Sequence, residues 1–218
     1  MKSAVQTSYL YCRRVARTRA KNFYYSFLLL SSQQRKAMCA IYAFMRYCDD
    51  LSDEPGATRG AIERWRAEME EALQGRFSGQ PMWPAFHHTV RRFGIPPEYF
   101  QEMIDGVASD LEPRRFRTFD ELYQYCYQVA SVVGLTIIHI FGFDTRSALP
   151  LAEKCGVAFQ LTNILRDIRE DSSKQIRSNL DENQQKKFDD IQKEQQKRMQ
   201  RMRSGGGPGP GASVNLYL

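Results

Sequence analysis

The residues best suited to chemistry lie in one stretch, QQRKAMCAIYAFMRYCDDLSD, from Gln33 to Asp53. In a helix of about 3.6 residues per turn, side chains three and four apart share a face. Tyr42, Arg46, Asp49 and Asp53 then form one stripe: an aromatic ring, a cation and two carboxylates. Around them Ala37, Ala40, Ile41, Ala43, Phe44 and Met45 are apolar, which predicts a buried helix. A carboxylate on a buried helix must be paired or hold a metal, because an isolated buried charge costs far too much.

A second stripe lies in FQLTNILRDIRED, where Asn163, Asp167 and Asp171 are spaced four and four, with Gln160 on the same side. Phe159, Leu161, Ile164, Leu165 and Ile168 fill the rest of that helix, and Arg166, Arg169 and Glu170 flank the stripe. Both stripes sit at the carboxyl end of a helix, where acids oppose the dipole and a bound cation relieves the strain. Oxygen ligands without His or Cys point to a hard ion, and ligation shared with phosphate points to Mg²⁺.

Long helices are needed to place these stripes, and the pattern supplies them. Ser32 is the expected cap of the central helix and Pro55-Gly56 its end. Further helices are predicted from about Thr58 to Leu73, Ala85 to Phe93, and after Pro96-Pro97 to about Leu111. Thr118 and Glu121 form a capping box for a long helix from Phe119 to Phe141. Gly134 inside it costs about 1 kcal/mol of helix propensity, which makes sense where something approaches the backbone closely. The last helix of the body is expected from Ser147 to Asp171. No period-two pattern competes, so the body is predicted to be all-α.

Composition narrows the function classes. The 218 residues are 42% hydrophobic and 12% aromatic, enough for a core. No apolar run reaches the ~18 residues of a membrane span; the nearest, Val129 to Phe143, is broken by Gly134, His139 and Gly142 and reads as a core helix. The amino terminus lacks an apolar signal region, so a cytoplasmic protein is expected. Five scattered cysteines suit reduced, packed thiols, and three histidines show no metal-ligand spacing. Of the net charge of +6, residues 172–218 carry +4 (nine Lys/Arg against five Asp/Glu) and the first 171 carry +2. Acids interspersed in the tail argue against nucleic acid as a partner. Arg13, Arg14, Arg17, Arg19 and Lys21 crowd the end of the first helix, where cations complement the dipole; an anion site is the alternative.

The runs AKNFYYSF, AIYAFMRYCDDLSDE, YCYQVASVVG and FQLTNILRDIRED, in that order, resemble the squalene/phytoene synthase family over about residues 1–171. The wording is most similar to the bacterial presqualene diphosphate or squalene synthase-like branch. The resemblance implies an isoprenoid synthase-type helical bundle whose acidic motifs face each other across a central cavity. It implies Mg²⁺-dependent head-to-head condensation of two farnesyl or geranylgeranyl diphosphates to presqualene diphosphate, squalene or phytoene. Asp49, Asp53, Asn163, Asp167 and Asp171 would hold the metal ions; Arg46, Arg166 and Lys21 would bind phosphate oxygens. Tyr42, Phe23, Phe27 and Tyr125 would offer ring faces to a carbocation, with Tyr125 near the reacting carbons. Gly134 would leave room for a prenyl chain, and Gln160 would accompany Asn163. Peripheral membrane contact is left open, since such products are lipids and no anchor is encoded.

After Asp171 the wording departs from the family. Residues 172–218 read as a polar helix, about Leu180 to Met202, then a flexible Gly/Pro-rich tail, with the family's C-terminal helices missing. The alternative function is therefore a truncated, catalytically silent synthase body that binds diphosphates or a partner subunit.

Overall fold

Every regular element among the described residues is helical, in agreement with the all-α expectation. The computed structural model describes residues 2–20, 22–53, 58–112 and 115–204; Lys21, Pro55-Gly56, residues 205–218 and the side chains of Phe23 and Asp53 lie outside them. Two compact units result, Met1–Asn163 and Ile164–Leu218.

In the first unit α3 (Ser32–Asp53) is the centre, packed against α1 (Lys2–Arg19), α5 (Trp83–Phe93), α6 (Glu98–Ser109) and α8 (Val132–Phe141). Helix α2 (Asn22–Phe27) follows α1, and α4 (Arg59–Leu73) contacts α3, α5 and α6. Ser31, and not Ser32, caps α3: its hydroxyl accepts from the Gln34 backbone N–H at 3.3 Å and donates to the Gln34 side-chain Oε1 at 2.8 Å. The S-x-x-Q spacing is that of a capping box, which moves the helix start by one residue. Thr58 caps α4 and Thr118 caps α7 (Phe119–Cys126) by the same geometry. Gly94, left-handed at φ 58°, closes α5, where a side-chain-free residue relieves the strain.

Aromatic packing fixes α3 in place. Phe44 is fully buried and stacks on Phe86 at 4.9 Å, while Phe100 meets Phe86 edge-on at 4.7 Å and Trp65 lies 4.6 Å from Trp83. Off-centre and edge-on contacts of this kind add to the area term of burial.

The stretch Phe119–Phe141 is one helix with a π-turn, Tyr127–Ser131, between α7 and α8. By length and composition this helix is apolar enough to cross a membrane, beyond what the sequence reading allowed. Cys126, Val132, Leu135 and Ile140 are buried, and α8 packs on α3 and α6, so it forms part of the core here. The wide turn serves a close crossing with α9 (Ala148–Ser178). A Cβ on Gly156 would fall 2.4 Å from Ser131 Cα, and the Ser131 hydroxyl donates to the Glu153 carbonyl at 2.7 Å. Gly134, expected to serve such an approach, would place a Cβ 3.6 Å from the Ala152 carbonyl, an ordinary contact.

Helix α9 continues to Ser178, past the expected end at Asp171. In the second unit its last turns pair with α10 (Glu182–Ser204) through Arg177–Asp189 at 3.0 Å and Gln192 to Ser173 at 3.1 Å. Asp181 and Gln184 cap α10 reciprocally, at 2.9 and 3.1 Å.

Candidate diphosphate site

Three residues of the first stripe open into one cavity. Tyr42, Arg46 and Asp49 line a space of about 370 Å³ together with Met45, Cys48 and Ser52 of α3. Met103, Val107 and Asp110 enter from α6 and its end, and Gln128, Val129 and Val133 from the π-turn and α8. The lining is thus half polar and half apolar. The two walls approach closely because α6 has Gly106, where a Cβ would meet Val129 Cγ1 at 3.0 Å.

Arg46 is held by Asp50, one turn on, in a tight ion pair; Arg19 reaches the other Asp50 oxygen at 3.9 Å. Burial works against the Arg46 charge, but the hydrogen bond and charge of Asp50, with Asp49 adding, raise its pKa overall. Its Nε is buried with no hydrogen-bond partner among the described residues. Such a donor is costly to leave unmade and suits an anion oxygen. Tyr42 is half-buried and meets Phe27 edge-on at 6.4 Å. Burial raises the Tyr42 pKa, Arg46 lowers it and Asp49 raises it again, so the phenol is neutral at pH 7.

Other expected site residues lie elsewhere. Phe27 is buried in the core and does not line this cavity. Tyr125, expected near the reacting carbons, is also absent from the lining; its ring lies against Phe116 at 5.2 Å. Gln128 and Val129, inside the π-turn, take the place on the wall. Gln160 accepts from Asn163 at 3.5 Å. Asp167 and Asp171 belong to the second unit, where Arg166 pairs with Asp167 at 3.0 Å and Lys174 with Asp171 at 3.2 Å, all exposed. The second acidic helix is not a buried one in this chain: only Gly156 and Val157 are buried along α9, while Phe159 and Leu165 are each 68% exposed. Asp110 and Gln128 were missed by spacing arguments, since they reach the cavity from a helix end and an irregular turn.

Among the described residues no three His, Cys, Asp or Glu side chains gather as a metal cage. Asp49 and Asp110 nevertheless put two carboxylates on one cavity, alongside the oxygens of Ser52 and Gln128. This all-oxygen, sparsely ligated arrangement fits Mg²⁺, which keeps waters and takes ligands from substrate phosphate.

The family model for squalene/phytoene synthase matches residues 9–199. The chain belongs to the squalene/phytoene synthase family. The match continues past Asp171 into α10. Within the family, the chloroplastic phytoene synthase 1 of Arabidopsis thaliana is 39% identical over 179 residues, 78% of this chain and 42% of that protein. Phytoene synthase 2 of Solanum lycopersicum is 39% identical over 170 residues, 74% of this chain and 54% of that protein. Among solved structures, a squalene synthase from Alicyclobacillus acidocaldarius aligns with a TM-score of 0.70 at 28% identity, covering 77% of this chain and 64% of that one. A dehydrosqualene synthase in complex with ligand aligns at 0.66 and 30% identity, covering 74% and 57%. The chain spans about half the length of the curated relatives it matches.

Proposed function

We propose that the α3 cavity binds a prenyl diphosphate for Mg²⁺-dependent head-to-head condensation of two such substrates. The observation that carries this reading is the meeting of Tyr42, Arg46 and Asp49 on a cavity that Asp110 and Gln128 also enter and that Met103, Val107, Val129 and Val133 line with aliphatic surface. Ionising an allylic diphosphate separates a carbocation from a highly charged leaving group. Arg46, fixed by Asp50, offers its unused Nε to a phosphate oxygen. Asp49, with Asp110 on the same cavity, would hold Mg²⁺. Magnesium, when bound, supplies positive charge to the departing diphosphate. Tyr42 faces the cation with a neutral ring, and the aliphatic walls keep water from it.

Purified chain incubated with farnesyl or geranylgeranyl diphosphate and Mg²⁺ is expected to release diphosphate and yield a hydrocarbon or cyclopropyl product. No release with either substrate, under conditions where the chain is folded, overturns the reading.

A second reading draws on the exposed α9 face, Leu151 at 67% and Phe159 at 68%. Large apolar side chains in a row mark a surface that a partner covers. A cavity of about 370 Å³ is also near the lower end of the ~300–1,000 Å³ typical of ligand sites. It suits one prenyl chain better than two. On this reading the chain binds diphosphate but turns it over only with a partner chain, and the same assay with and without a second synthase subunit separates the two.

A further inference from the structure

A second surface of the first unit has no part in that chemistry. The first 48 residues contain nine Lys/Arg and no Asp or Glu; Asp49 is the first acid in the chain. The fold places Arg13, Arg14, Arg17 and Arg19 on α1 and Arg35 and Lys36 at the start of α3. Three depressions of about 620, 410 and 480 Å³ all include Arg13, and Arg17 is common to the second and third. Together they form one furrow that takes in Arg14, Arg35 and Lys36 and is lined by no acidic side chain among the described residues. It shares no residue with the Asp49 cavity. Lys36 and Asp49 are 13 positions apart on α3, roughly 20 Å at 1.5 Å per residue.

The furrow also has an apolar lip. Leu29 is 89% exposed and Tyr25 69%, with Leu28 and Leu10 exposed nearby. The lip is built rather than incidental. Arg35 donates to the carbonyls of Leu28 at 3.1 Å and Leu30 at 3.0 Å, pinning the turn after α2 while the Leu28 and Leu29 side chains point out. Arg13 donates to the Tyr24 phenol at 3.1 Å and holds α2 against α1.

We propose that this furrow and lip are a docking surface for an anionic membrane. Cations near a negatively charged bilayer each add to binding, and exposed Leu and Tyr side chains enter the headgroup boundary. A soluble acidic protein would be met by the charges alone; the protruding Leu28-Leu29 pair is what selects a lipid surface. The proposal does not depend on the catalytic reading, because it needs neither substrate nor Mg²⁺.

Flotation with phosphatidylcholine vesicles, with and without one-third phosphatidylglycerol, tests it. The full chain is expected to float with the anionic vesicles and not with the neutral ones, less so as salt rises. The triple variant Arg14→Gln/Arg17→Gln/Lys36→Gln spares the two structural arginines and is expected to bind about 100-fold more weakly. Leu28→Ser/Leu29→Ser should weaken binding several-fold with no change in charge. Arg115→Gln/Arg117→Gln/Arg146→Gln, which removes the same charge elsewhere, should leave it unchanged; cooperative unfolding certifies each variant as folded. Equal binding to neutral vesicles, equal loss in the two triple variants, or binding of inorganic diphosphate at the furrow without vesicle binding would each overturn the proposal.

Discussion

Arg46 is paired with Asp50, one turn later on α3, while the adjacent Asp49 lines the cavity. Neighbouring carboxylates therefore stand in different places: one holds the Arg46 guanidinium, the other lines the cavity. Asp50→Asn removes the charge that holds Arg46 and leaves a partly buried guanidinium without its counter-ion. The pair is part-exposed, so the loss is smaller than for a dry ion pair, about 1–2 kcal/mol by urea unfolding. Binding of inorganic diphosphate, followed by calorimetry, should weaken along with it. Unchanged diphosphate affinity in a folded Asp50→Asn chain would separate Arg46 from phosphate binding.

Asp49→Asn keeps the shape of the cavity and removes the carboxylate charge proposed to bind Mg²⁺. Little loss of stability is expected, because the side chain is exposed. Diphosphate release should fall by roughly 10²–10³, the range seen when one electrostatic stabiliser of a transition state is removed. The Mg²⁺ concentration needed for half-maximal rate should rise as well. A variant with full rate and unaltered Mg²⁺ dependence contradicts a metal role for Asp49.

His139 provides a pH test of the fold. Its ring lies edge-on to Tyr99 at 6.0 Å and Phe143 at 5.2 Å, and burial lowers its pKa despite a backbone hydrogen bond at Phe93. The unfolded chain then takes up the proton first, near the ordinary value of 6.5. The contribution to stability is complete above pH 6.5 and is lost as pH falls toward and through the folded-state pKa. The urea midpoint should drop between pH 7.5 and 5, and His139→Leu should flatten part of that slope. An identical slope in the variant assigns the acid sensitivity to other groups.

The cysteines divide by burial. Cys12, Cys39, Cys48 and Cys126 are buried, while Cys155 is exposed. Burial, with the neighbouring Cys39, pushes the Cys12 thiol up to about 12; burial raises Cys39 to about 11; burial and then Asp49 raise Cys48 to about 12. A thiol reacts as its thiolate, so these three are inert in the folded chain. One fast-reacting thiol at pH 8 is expected, absent in Cys155→Ser, with the full five titrating in denaturant. Two or more fast thiols would mean that the core around α1 and α3 opens.

The helices were legible because their signals are local. Thr118 with Glu121, Gly94, and the apolar ring around Tyr42 each act within a few residues of one another. The α3 stripe followed from periodicity, and three of its four members do share a cavity or its edge; the Asp53 side chain is outside the described residues. What escaped was set by contacts between distant segments. The π-turn at Tyr127–Ser131 resets the phase of the helix, so Gln128 and Val129 face the cavity and Tyr125 turns to Phe116. Periodicity at 3.6 residues cannot register that slip. Likewise the α9 sequence has the apolar content of a core helix, but burial depends on what packs against it. Phe159 and Leu165 stay exposed in this chain.

The two glycines near that crossing make opposite predictions. Gly156 meets Ser131 so closely that an added Cβ would lie 2.4 Å from backbone, where no side-chain rotation can relieve the clash. Gly156→Ala must separate α9 from the π-turn and break the Ser131–Glu153 hydrogen bond, at a cost of at least the 1–3 kcal/mol typical of overpacking. Gly134→Ala places its methyl at ordinary contact distance, so the helix-propensity gain of up to about 1 kcal/mol should show as added stability. Urea unfolding of both variants beside the parent chain decides the matter. A stable Gly156→Ala would mean that α9 does not rest on the π-turn in solution. A destabilised Gly134→Ala would restore the close approach that its place in the sequence suggests.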